Sequence, residues 1–234
     1  MVTSPASRSG RVWIYAVLPA VILNLGAILL FGTYYALRAV SPALVASITP
    51  EQVQFLAYLL VFVVELTFVF LLIRKLAANG LALQRVIARD GCTRSFRWAP
   101  AIGVFLLFNA AFLVYVWLAS RLYGGWPSLR NLLVWQRLFL LLAVPLQAAF
   151  CEEIIWRGYL IDRLHAQGRT QAAAIVLSAI SFSLIHGIFL VDKLVFTFVL
   201  GLLAGVYFVR ERNLAPLMVS HFVADLWSFG LSVV

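Results

Sequence analysis

Seven stretches of nearly unbroken apolar character, at about 12–37, 53–73, 99–120, 137–157, 171–191, 193–209 and 214–233, dominate the chain. Most come close to the roughly 20 residues that a helix needs to cross a bilayer; 193–209 is short. None alternates apolar with polar residues as a lipid-facing barrel strand would, and within lipid only helices and closed barrels satisfy every backbone polar group. The pattern predicts an all-α fold, a polytopic transmembrane helical bundle of about seven spans. Thr49-Pro50-Glu51 reads as a helix start with Thr49 as its cap. Gly124-Gly125-Trp126-Pro127 reads as a connecting turn. The 74–98 connection sets Leu81, Leu83, Val86 and Ile87 among arginines, which suggests an amphipathic helix lying on the membrane surface. The chain is expected to form one membrane domain over 1–234: a polar tail at 1–11, N-terminal spans and loops at 12–136, and a chemical core at 137–234.

Composition agrees with the pattern. The chain is 64% hydrophobic and 12% charged, whereas soluble domains are nearer about 45–50% apolar. A formal charge of +9 would suggest nucleic acid in a soluble protein, but here location decides. Twelve of the 18 basic residues, among them Arg74, Lys75, Arg97, Arg163, Arg169 and Arg212, fall on one side of the spans. Arg38, Arg121, Arg130, Arg137 and Lys193 fall on the other. That asymmetry predicts the N-terminus inside and the C-terminus outside, with the basic loop attracted to lipid headgroups and no nucleic-acid partner. Cys92 and Cys151 differ too much in depth for a disulfide. Cys151 has no basic neighbour in sequence to favour a thiolate and reads as packing.

The polar residues inside the spans are few. Asn24 and Asn109 read as interhelical hydrogen-bonding groups, and Gly201 and Gly205 as a close-packing face. Glu65 needs a basic partner from another span, a proton, or water.

The densest polar stretch is CEEIIWRGYL, 151–160, where each charge costs about 2.5–3.5 kcal/mol at the bilayer centre. On a helix, residues i and i+4 share a face while adjacent ones point about 100° apart. Glu153 is therefore expected to pair with Arg157, leaving Glu152 on another face beside Trp156. Two of the three histidines, His186 and His221, fall in the fifth and seventh spans. Asp225 follows His221 by one helical turn, and Phe182 precedes His186 by one, where its ring can pack on the imidazole. A glutamate, two histidines and an aspartate at membrane depth suit activation of a water molecule. Glu152 would be the general base, His186 would hold the same water, and His221, oriented by Asp225, would stabilise an oxyanion. The same residue types could ligate zinc, although no HExxH helix is present. Ser178, Ser181, Ser183 and Ser220 lie nearby, but no strand-to-helix nucleophile elbow surrounds them. Measured from the flanking arginines, Glu152 and His221 lie at similar depths of about 17 and 14 Å, whereas His186 lies at about 25 Å, deeper than the others.

The ordered set Glu152-Glu153-xxx-Arg157, Phe182-xxx-His186 and His221-xxx-Asp225 resembles the three motifs of the CPBP family of intramembrane glutamic endopeptidases, which includes the type II CAAX prenyl endopeptidases and bacteriocin-processing proteins. The resemblance covers about residues 147–229. It implies a hydrolase whose water is activated by Glu152 and His186 and whose oxyanion site is His221 with residue 225. Glu153, Arg157 and Phe182 would be supporting, and neither metal nor other cofactor would be needed. Position 225 is often asparagine in the prenyl endopeptidases; Asp225 donates to an oxyanion only when protonated, so it would chiefly orient His221. The implied substrate is a membrane-associated peptide or protein, either a prenylated tail or, in a bacterium, a secreted peptide or a C-terminal sorting tail. The expected location is the plasma membrane of a prokaryote. Rival readings are a non-catalytic immunity or scaffold protein, and a proton-coupled transporter using the buried acids as a relay.

Overall fold

A computed structural model describes residues 10–88 and 97–233, and the apolar stretches become helices. They are α1 (Gly10–Val40), α2 (Pro50–Ala78), α3 (Trp98–Tyr123), α4 (Val134–Ala166), α5 (Gln171–Ile185), α6 (Val191–Glu211) and α7 (Ala215–Val233). No strand occurs among the described residues. Five helices, α1, α2, α3, α4 and α6, are long and apolar enough to cross a membrane. At 15 residues α5 is shorter, and α7 has 19 residues but is diluted by His221, Asp225 and three serines. Large apolar side chains such as Leu29, Phe70, Leu106 and Trp117 point outward from this bundle, as a lipid solvent requires.

Local chemistry sets the helix ends. Thr49 caps α2 as expected: its hydroxyl accepts from the Gln52 amide at 3.3 Å, and the Gln52 side chain accepts from the Thr49 amide at 2.9 Å. Gly124 ends α3 in the left-handed conformation. The fifth span is shorter than the predicted 171–191. Its helix stops at Ile185, Gly187 adopts φ 102°, and a new helix begins at Val191.

The bundle is organised around α4. Of its most apolar window 61% is buried, against 28% or less in the other four spanning helices. Two π-helical segments, Phe139–Ala143 and Glu153–Ile161, interrupt it. The first lies just ahead of Pro145, whose ring would otherwise meet the carbonyl of residue 141, and a widened turn relieves that clash. The second is buried along its whole length.

Close approach between helices follows the small residues. A Cβ on Gly201 would stand 3.0 Å from the Ala179 Cα, so α6 lies directly against the α5 backbone, in agreement with the close-packing reading. A Cβ on Gly158 would meet Val86 and Leu214 at 2.6 and 2.9 Å, which shows where the basic loop goes. Its described part forms one helical turn, Gln84–Ile87, and Leu81, Leu83, Val86 and Ile87 pack against the core. The Leu214 amide donates to the Ile87 carbonyl at 2.9 Å. These apolar residues cover α4, correcting the surface-helix expectation for 79–88. Residues 89–96, with Cys92, lie outside the described residues. Arg97 meets Glu211 at 3.0 Å, Lys75 donates to the Tyr159 hydroxyl at 2.6 Å, and Arg212 pairs with Asp162, tying α2, α3, α4 and α6 together at the basic end.

Asn24 of α1 pins the far end of α5. Its Nδ2 donates to the Ala20 and Leu184 carbonyls, both at 2.8 Å, and its Oδ1 accepts from the Ile188 amide at 3.1 Å. These bonds bracket His186. Two outcomes follow. Gly201→Leu should lower the unfolding midpoint in detergent by the equivalent of about 1–3 kcal/mol, whereas Gly103→Ala, whose Cβ meets nothing within 4 Å, should not lower it. Asn24→Leu should cost about 1–3 kcal/mol through the bonds it leaves unmade and should speed amide exchange at Ile188, read by mass spectrometry.

Candidate active site

The second π-helical segment decides how the glutamates point. Its hydrogen bonds run i→i+5, so each residue turns less about the axis than in an α-helix. Glu152 closes the preceding α-helical stretch and Glu153 opens the wider one. Both carboxylates reach one imidazole. His221 Nδ1 lies 3.0 Å from Glu153 Oε1, and His221 Nε2 lies 3.6 Å from Glu152 Oε2. The expectation that Glu152 and Glu153 would serve separate faces is corrected here: they straddle the same ring.

Glu153 pairs with Arg157 one turn along, at 3.3 Å, and both are almost completely buried. The contact is an ion pair without hydrogen-bond alignment, since the terminal nitrogens of Arg157 and the second oxygen of Glu153 lack hydrogen-bond partners. The guanidinium also lies 4.0 Å from the Phe182 ring centroid, a cation–π contact in a dry setting. Glu153 therefore holds Arg157 and His221 together. Orientation of His221 through Nδ1 comes from Glu153; Asp225, assigned that task in the sequence, instead stands 3.6 Å from Nε2 alongside Glu152.

His186 sits at the C-terminal cap of α5. Its Nδ1 lies 3.0 Å from the Phe182 carbonyl oxygen, so Nδ1–H donates there and Nε2 is left as an acceptor. The Phe182 ring packs edge-on against His186 with centroids 4.7 Å apart, and stands 6.3 Å from His221. Counted from the 167–170 turn, Glu152 and His186 lie almost equally far along α4 and α5. The depth mismatch arises only when Arg163 is the reference, because Arg163 lies inside α4. Among the described residues no hydrogen bond joins Glu152 to His186 directly; Phe182 neighbours both imidazoles.

The nearby serines are engaged in structure. Ser178 donates to the Trp156 carbonyl at 2.6 Å, Ser181 to the Ala16 carbonyl, Ser183 to the Ile180 carbonyl at 2.9 Å and Ser220 to the Pro216 carbonyl at 2.6 Å. The indole N–H of Trp156 donates to Ser181 at 2.8 Å. No group of three or more His, Cys, Asp or Glu side chains among the described residues is arranged to hold a metal ion. Cys151 is buried and free.

Sequence reading undervalued three residues here. Gln147, one and a half turns before Glu152, donates from Nε2 to Glu65 Oε2 at 2.6 Å; an amide in an apolar run was its only signal. Glu65 itself is fully buried within hydrogen-bonding reach of Glu152. Lys193, counted as a topology charge, lies within electrostatic range of His186 and Asp225.

Comparison with known proteins finds a family match over the segment that carries these residues. Residues 134–227, which hold all of Glu152, Glu153, Arg157, Phe182, His186, His221 and Asp225, match the family model described as type II CAAX prenyl endopeptidase Rce1-like. No curated protein and no solved structure matches the chain. Residues 134–227 are thus similar to the CAAX protease-like (CPBP) family, and they are set in a helical bundle with five helices long and apolar enough to cross a membrane.

Proposed function

We propose that the protein is a glutamic intramembrane endopeptidase in which Glu152 is the general base. The observation that carries this reading is the placement of Glu152 Oε2 3.6 Å from an imidazole nitrogen whose ring is held from its other side by Glu153. A water between Glu152 and His186 would give one hydrogen to each acceptor, which directs its lone pair at a substrate carbonyl. Glu152 removes the first proton as the water oxygen bonds to the carbonyl carbon, and the carbonyl π electrons move onto its oxygen. His221, with carboxyls facing both of its nitrogens, suits the form that donates from each; Nε2–H then faces the oxyanion. Collapse re-forms the C=O bond and breaks the C–N bond, and Glu152 returns its proton to the departing amine. Glu153 and Arg157 keep His221 in position, Phe182 fixes His186, and Asp225 shares the Nε2 side of His221.

Zinc chemistry is the less favoured reading, because among the described residues no group of three or more His, Cys, Asp or Glu side chains is arranged to hold a metal ion. A non-catalytic immunity or scaffold role gives no reason for two carboxylates to enclose one imidazole. The substrate is proposed to be a membrane-associated peptide or a protein tail, entering from the basic end of the bundle, which is proposed to face the cytoplasm of a prokaryotic host.

Cleavage of candidate tail peptides by purified protein provides the test. Glu152→Gln and His186→Ala should each lower kcat by about 10²–10⁴-fold, and His221→Ala by about 10²–10³-fold. A chelator should leave the wild type unchanged. Activity abolished by chelator and restored by zinc, or retained in Glu152→Gln, would overturn the assignment.

A further inference from the structure

Among the described residues, Glu65 is the one acid of the core that lies outside the three motifs, on α2, a helix beyond the matched segment. It is 0% exposed, and Gln147 Nε2 donates to its Oε2 at 2.6 Å. Its Oε1 is buried without a donor, and so is Oε2 of Glu152. Yet the two carboxyls stand within hydrogen-bonding reach of each other. Written as two carboxylates, the groups are acceptors facing acceptors and repel in a medium that cannot screen them. A single proton between them turns that repulsion into a strong charge-assisted hydrogen bond, as in paired-carboxyl sites that share one proton. Around the pair stand Gln147 and Cys151 from α4 and His221 and Asp225 from α7.

We infer that Glu65 is the protonated partner of Glu152, a positioning residue that donates its carboxylic O–H to the Glu152 carboxylate and holds it at the angle needed for water activation. The proton is assigned to Glu65 because its oxygens meet a neutral amide and another acid, whereas Glu152 has His221 to stabilise its negative charge. The pair then carries one proton at rest, two after Glu152 has deprotonated the water, and one again after the amine has left. Glu65 keeps its own proton throughout. The catalytic consequence rests on the proposed glutamic mechanism; the protonation state does not.

The experiment is infrared spectroscopy of the whole detergent-solubilised protein at neutral pH, carrying carboxyl-labelled glutamate, read at the C=O stretch of a protonated carboxylic acid. Wild type should show this band; Glu152→Gln should keep it, and Glu65→Gln should lose it while eluting as wild type does. Absence of the band from wild type, its survival in Glu65→Gln, or its loss only in Glu152→Gln overturns the inference whatever the peptidase activity proves to be. In the cleavage assay Glu65→Leu, which removes the donor, should lower kcat about 10²-fold with KM unchanged. Glu65→Gln, which keeps an N–H donor of the same reach, should recover most of that loss. If Glu65→Leu and Glu65→Gln cleave alike, the positioning role is overturned even where the band behaves as expected.

Discussion

The fully buried carboxylate of Glu153 constrains everything around it. Removing such a charge from water is tolerable only with close counter-charges, and a half-matched site would be strongly destabilising. Glu153 finds Arg157 along its own helix at 3.3 Å and His221 from α7 at 3.0 Å. Arg157 in turn needs more than one neighbour, and the Phe182 ring of α5 lies 4.0 Å away. One carboxylate thus obliges three helices to converge, and the groups proposed for catalysis come with them. The value of such a buried pair lies in fixing which side chains meet, since in energy alone it competes poorly with apolar packing.

The π-helical stretch Glu153–Ile161 is the backbone counterpart of that demand. An α-helix would carry adjacent glutamates to faces about 100° apart. The wider turn lets Glu152 and Glu153 address the two nitrogens of one imidazole. Gly158 within the same stretch admits Val86 and Leu214 against the helix, which seals its basic end beneath the loop. Altered winding, a missing side chain and the enclosing loop therefore act on the same few residues.

The half of the chain without recognisable motifs completes the site. Asn24 of α1 holds the backbone on both sides of His186, and Glu65 of α2 meets Glu152. Ala16 of α1 accepts from Ser181, which itself receives the Trp156 indole N–H. Asn24 makes the interhelical bonds that pattern reading expects and with them supports His186, whereas Asn109 donates back to the Phe105 carbonyl of its own helix at 2.9 Å, so its interhelical expectation is corrected.

The sequence by itself determined that the chain is helical and made for lipid, because length and apolarity alone leave no other spanning structure. It determined the Glu153–Arg157 pair, the Phe182–His186 contact and the Thr49 cap, since each depends on residues within one turn of the same helix. Only the tertiary structure decided which acid orients His221, that Glu65 and Gln147 stand beside Glu152, and that the fifth helix stops at Ile185. Those facts depend on helix winding, on the depth of each turn and on which faces of distant helices meet. Periodicity along one strand of sequence carries no measure of them.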